Sequence, residues 1–183
     1  MHFPGQTYPG APLDDIAVLD AIPPEYAQLL AQSNGFVAFG GGLHVRGACT
    51  APEWHSIRAA LEGPDALHRL FPAVDAADTP FAQDALGNQF VLRGGAVHRL
   101  AAAAGSVNVV EIIAHDIASF LAGCLEDPAA VLPLDALAAL RESGGRLAPG
   151  ELLDLSGGEP RVVLALAHIR ALARRPAERN PGI

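Results

Sequence analysis

With 183 residues, the chain can bury well over half of its unfolded surface in one core and needs no disulfide or metal staple to do so. Half of it is hydrophobic, much of that Ala, yet no stretch approaches the ~20 consecutive apolar residues of a membrane span. A formal net charge of −8 argues against nucleic acid, whose phosphates must be met by basic side chains, and favours a basic protein partner.

The first residues, MHFPGQTYPGAP, place Pro and Gly where a secretory signal would need a basic patch and an apolar run. Residues 1–12 are therefore expected to be a flexible leader on a cytoplasmic protein. Residues 13–175 are expected to form a single domain, with 128–175 as a C-terminal extension packed on it and 176–183 as a disordered tail. Cys49 and Cys124 are far apart and in no metal-binding or redox spacing, so both read as small core residues.

Acidic residues open a short helix over Asp14–Ala21, with Ile16, Leu19 and Val18 on its apolar side. Pro24 suits a first helical position, and Tyr26, Leu29 and Leu30 then recur at helical spacing until Asn34 and Gly35 close the helix. Phe36–Phe39 and Leu43–Arg46 flank three glycines and predict two strands around a bend. No phosphate cradle is expected there, because Leu43-His44-Val45 follows the glycines where a nucleotide site requires a helix carrying Lys and Ser/Thr. Thr50 is a plausible helix cap, with Trp54, Ile57, Ala60 and Leu61 at helical spacing behind it. A short helical turn is predicted over Asp65–Phe71.

The segment TPFAQDALGNQFVLRGGAVHRL (Thr79–Leu100) predicts three strands joined by two tight turns. Asp84 can accept hydrogen bonds from backbone N–H groups just ahead of it in the turn before Gly87 and Asn88. Gly94-Gly95 can supply the positive φ angles of a two-residue hairpin. That register sets Leu92 opposite Val97 and Phe90 opposite Arg99, with Phe90, Leu92 and Val97 facing the core and Phe81 on the preceding strand. Val107–Ile113 is rich in β-branched residues and should be extended, and His115–Leu125 reads as a helix burying Ile117, Phe120, Leu121 and Cys124. Further on, Leu134–Arg141 predicts a helix, Leu152–Leu155 and Val162–Leu166 two strands, and Ala167–Arg175 a terminal helix.

Two of these segments, IPPEYAQLLAQSNGF (Ile22–Phe36) and TPFAQDALGNQFVLRGGAVHRL, resemble the SUKH superfamily, named for yeast cell-wall-synthesis regulators and bacterial immunity proteins. The helix His115–Leu125 matches in position, so the resemblance runs from about Asp14 to Leu125. It carries a structural signature of Pro24, Tyr26, Leu29, Asn34, Gly35, Phe81, Asp84, Gly87, Phe90, Leu92 and Val97. The resemblance implies an α+β fold, a curved antiparallel sheet packed against helices. It also implies a bacterial immunity protein, an antitoxin that neutralises a cognate polymorphic toxin, commonly a nuclease, by stoichiometric binding without cofactor, metal or turnover. The alternative is a non-catalytic regulatory or scaffold module that recognises a peptide or protein partner. A monomer or weak homodimer is expected.

No Gly-x-Ser-x-Gly elbow supports a hydrolase. Glu111 with His115, and His44 with Cys49 and His55, are loose metal-ligand candidates, but the predicted elements separate their members. The carboxylates Glu53, Glu62, Asp65, Asp75 and Asp78 fall close together in sequence and are the candidate partner-binding surface, complementary to a basic cleft. Against that stands plain solvated charge, and Trp54 reads as core rather than as an interface anchor.

Overall fold

The computed structural model describes residues 2–104 and 110–174. Six short strands, β1 (Phe36–Ala38), β2 (Leu43–Val45), β3 (Thr79–Asp84), β4 (Gln89–Arg93), β5 (Ala96–Leu100) and β6 (Val110–Ala114), form one open antiparallel sheet in sequence order. Each strand pairs with the next in the chain, as tight turns favour. A separate two-stranded sheet joins β7 (Glu151–Asp154) to β8 (Arg161–Leu164). The helices are α1 (Pro24–Gln32), α2 (Ile57–Glu62), α3 (Leu67–Leu70), α4 (Ile117–Glu126), α5 (Pro128–Val131), α6 (Leu134–Glu142) and α7 (Ala165–Ala173). The fold is α+β, an antiparallel sheet packed against helices on both faces.

Strand alternation assigns the two faces. Leu43, Val45, Ala82, Phe90, Leu92 and Val97 share one face across four strands, and all pack in one cluster with Tyr26, Leu30, Ile117, Phe120 and Leu121. The rings of Phe81 and Phe90 meet Phe120 at centroid separations of 5.5 and 4.8 Å. Each such buried side chain contributes about 1.5–3 kcal/mol of transfer free energy. The opposite face carries Val91 and Leu100, which pack with Phe71, Leu152, Ile169 and Leu172. The β7–β8 hairpin and α7 therefore cover the second face of the sheet, while Val131 and Leu132 pack on the first. Leu153 N–H donates to the Ala85 carbonyl at 2.7 Å, and Leu137, Leu140 and Leu147 close a third cluster around Ala85.

The central hairpin has the expected register, Leu92 opposite Val97 and Phe90 opposite Arg99, around Gly94 (φ +60°) and Gly95 (φ +85°). Asp84 accepts from the N–H groups of Leu86 (2.8 Å) and Asn88 (3.1 Å), and from Asn88 Nδ2. In α1, Pro24 opens the helix and Tyr26 and Leu30 are buried, with Leu29 partly so. Gly35 follows at φ +73°, where an added Cβ would lie 2.6 Å from the Val45 carbonyl.

Four expectations need correction. Residues 2–12 are a strap along the outer edge of β1, not a loose leader. Val37 exchanges hydrogen bonds with Thr7 and Tyr8, the N–H groups of Phe39 and Gly40 donate to Pro4 and Gly5, and the buried Phe3 ring stacks on Phe36 at 4.6 Å. The first turn, Ile16–Ala21, is 3-10 rather than α-helical and leaves Ile16 58% exposed. No helix starts at Thr50: the chain loops back so that Gly47 N–H bonds the His55 carbonyl and Ile57 N–H the Gly47 carbonyl. Ser56, whose Oγ accepts from Ala59 N–H at 3.2 Å, caps α2 instead and leaves Trp54 outside the helix. Finally, α7 begins at Ala165, two residues before the predicted start, and β6 begins at Val110; residues 107–109 of its predicted span, with Arg175 and the tail 176–183, lie outside the described residues.

Asn34 fastens the strap. Its Nδ2 donates to the carbonyls of Ala11, Pro12 and Ala48, and its Oδ1 accepts from Ala48 N–H at 2.7 Å. Asn34→Ala is expected to lower stability by about 1–3 kcal/mol, the penalty for unpaired polar groups. Urea denaturation reads the loss, and faster proteolytic nicking of residues 2–12 should accompany it.

Candidate functional site

The five candidate carboxylates do not form one free surface. Asp78 is buried and clamped by Arg93, whose Nε and Nη2 reach its two oxygens at 2.8 and 2.6 Å. Asp65 forms a bidentate pair with Arg170 of α7, which holds its carboxyl below the usual range. Glu62 pairs with Arg58 one helical turn away at 3.1 Å, and Asp75 approaches Arg93 at 3.4 Å. Of the five, Glu53 alone is exposed with no ion pair among the described residues. Asp65 and Asp78 are thus structural clamps, and the expectation that this segment is the partner-binding face is not met for them. Sequence separations of 105 and 15 residues hid these pairings.

On the second face of the sheet lies a polar row that sequence reasoning passed over. His44, Gln83 and Gln89 are cross-strand neighbours on β2, β3 and β4, with Arg46 two residues along the same side, and all four are buried. Arg46 Nη1 donates to the carbonyls of Pro80 (2.7 Å) and Ala82 (3.2 Å), and its Nη2 donates to Gln83 Oε1 (3.0 Å) and Gln89 Oε1 (2.8 Å). Tyr26 Oη donates to the Arg46 carbonyl from the other side at 2.6 Å. Burial with only neutral oxygens as acceptors lowers the Arg46 guanidinium to about 10, and it stays charged at neutral pH.

The row continues through the histidines with a single consistent direction. His55 Nε2 lies 3.1 Å from the Asn34 carbonyl and must donate to it, which makes His55 Nδ1 the acceptor. His44 Nε2 then donates to that atom at 2.9 Å, and His44 Nδ1 accepts from Gln83 Nε2 at 3.2 Å. Both rings are neutral: burial, reinforced by Arg46, holds His44 well below its usual value and His55 down to about 4. Trp54 and Tyr8 cover the pair at ring separations of 5.0 to 5.4 Å. The alternation of polar and apolar residues in Leu43–Arg46 was the available signal, and it reads equally well as a strand with one wet face.

These nitrogens are committed to hydrogen bonds, so the His44 and His55 candidate has no converging lone pairs to offer a metal. Glu111 instead pairs with Arg99 across β5 and β6 at 2.5 Å, and Asp116 caps α4 by accepting from Ser119 N–H. Among the described residues, no three His, Cys, Asp or Glu side chains gather as a metal site requires. Beside Arg46 and Gln83 is a cavity of about 30 Å³ bounded by Trp54, Ser56 and Asp65, room on the scale of bound water. A more open cleft of about 390 Å³ separates the turn after β3 from β7 and α7, lined by Arg99, Asp154, Ser156 and His168 among apolar side chains. Backbone and hydroxyl bonds from Ser156 hold the Asp154 carboxyl at about 2.

No family model matches the chain, and no curated protein matches it closely enough to count as a relative. Among solved structures, Atu4351 from Agrobacterium tumefaciens is similar in fold, with a TM-score of 0.55 over 95% of this chain and 85% of that one. Identity between the two is 16%, so the likeness shows a shared fold and nothing about activity. No helix is long and apolar enough to cross a membrane among the described residues.

Proposed function

We propose that this protein is an immunity protein that binds a cognate, basic toxin one-to-one and occludes it, a nuclease being the toxin class whose phosphate-binding cleft best matches an acidic surface. The observation that carries this reading is the segregation of charge. Arg58, Arg93, Arg99, Arg161 and Arg170 are engaged in ion pairs within the chain, and Arg46 is buried. Residues 1–45 and 101–140 contain neither Arg nor Lys. They supply the 3-10 turn, α1, α4 and α5, all packed on the first face of the sheet. This layer shows solvent the exposed carboxylates Asp20, Glu25 and Glu126, which have no ion pair among the described residues. Such a field steers a positively charged partner and repels wrong ones. The SUKH resemblance supports the same reading.

Co-expression with the toxin domain encoded beside the gene is expected to restore growth and to yield a complex of one copy of each. Its association rate should fall steeply between about 0.05 and 0.5 M salt, as screening shortens the reach of the field. Failure to rescue growth or to co-purify with any neighbouring toxin domain overturns the reading.

A further inference from the structure

We propose that β6 is the docking edge for that partner, accepting an extended segment of the basic toxin as an added antiparallel strand; the inference rests on the immunity reading above. The two edges of the main sheet differ in kind. At β1 the strap of residues 4–8 occupies the edge with backbone hydrogen bonds. At β6, the last strand in the sheet order, no described strand lies outside it. Apart from the bulge at Ile113, where the register with β5 shifts, alternate residues of β6 direct their N–H and C=O away from β5, where a further strand can pair.

The side chains agree with an occupied edge. Ile112, opposite His98 of β5, is 64% exposed, and β6 contains neither Pro nor Lys to block pairing. Charge decides between occupants. Asp116 just after the strand and Glu126 at the end of α4 are exposed, Glu111 on the strand is exposed but paired with Arg99 of β5, and no Arg or Lys occurs between residues 101 and 140. A second copy of the chain would bring the same carboxylates to the same edge, a like-charge contact. A basic strand would be drawn to it, its backbone supplying affinity and an apolar side chain covering Ile112.

Hydrogen exchange of the full chain, alone and bound to a catalytically inactive form of the neighbouring toxin domain, tests this. The outward amides of 110–114 should exchange at least about tenfold more slowly in the complex. Ile112→Lys should weaken the complex at least about tenfold, whereas Ile112→Thr, which keeps the β-branch, should weaken it far less. Because Ile112 is exposed, both variants should keep the parental urea midpoint. A complex that protects other segments and tolerates Ile112→Lys overturns this inference and leaves the immunity reading standing. Loss of all binding to neighbouring toxin domains overturns both. A self-dimer seen by sedimentation and abolished by Ile112→Lys would place a second copy at this edge and overturn the proposal.

Discussion

Arg46→Ala is expected to destabilise the protein by about 3–5 kcal/mol, a large share of the 5–15 kcal/mol typical of a domain. The wild-type guanidinium is 4% exposed and holds two backbone carbonyls and two glutamine oxygens at 2.7 to 3.2 Å. Truncation removes a buried donor from all four acceptors, leaving Gln83 Oε1 only the Gln89 amide at 3.3 Å, and adds the cost of the vacated volume. Arg46→Met fills much of that volume and should still lose most of the stability, because the missing donors rather than the missing atoms dominate. Arg46→Lys should recover only part, since a single ammonium cannot span acceptors that the planar fork reaches on both arms. Urea denaturation of the three variants separates these terms. A loss below about 1 kcal/mol for Arg46→Ala would mean that the row is open to solvent.

Acidification is the second large effect. The folded-state values of His44 and His55 lie below the ordinary 6.5, so below that pH the unfolded chain binds more protons than the folded one and stability falls. For His55, with a folded value of about 4, the loss between pH 7.5 and 5 is about 2 kcal/mol. His44 acts in the same direction. Asp84 works against them: burial raises it to about 6, so the folded state takes up its proton first and regains about 1 kcal/mol over the same range. The net expectation is a loss of about 2 kcal/mol or more between pH 7.5 and 5, measured as the shift in urea midpoint. A flat profile across that interval would contradict the neutral, directional relay from Gln83 through His44 and His55 to the Asn34 carbonyl.

Much of the architecture was legible before any coordinates. The Gly94-Gly95 hairpin, the Asp84 turn, Pro24 at the start of α1 and the buried stripe Ile117, Phe120, Leu121 and Cys124 all rest on interactions within a few residues of one another. The loop at Thr50–Ser56 was misread because helical spacing of Trp54, Ile57 and Leu61 is compatible with a helix, while the pairing of Gly47 with Ser56 that prevents one is tertiary. The candidate carboxylates were misjudged for a related reason. Proximity in sequence says which acids share a segment, and says nothing of which ones an arginine from α7 or β4 will claim.

Turn chemistry, helical and strand periodicity and composition act over short range, so the local pieces and the net charge can be read from the residues directly. Which polar side chains go inside and which acids face water is set by tertiary packing. His44, Arg46, Gln83 and Gln89 look like the wet side of three strands until Trp54, α2 and α7 cover them. Asp65 and Asp78 look like surface charge until Arg170 and Arg93 arrive. Burial and ion pairing depend on what the rest of the chain lays over a residue, and no local pattern carries that information.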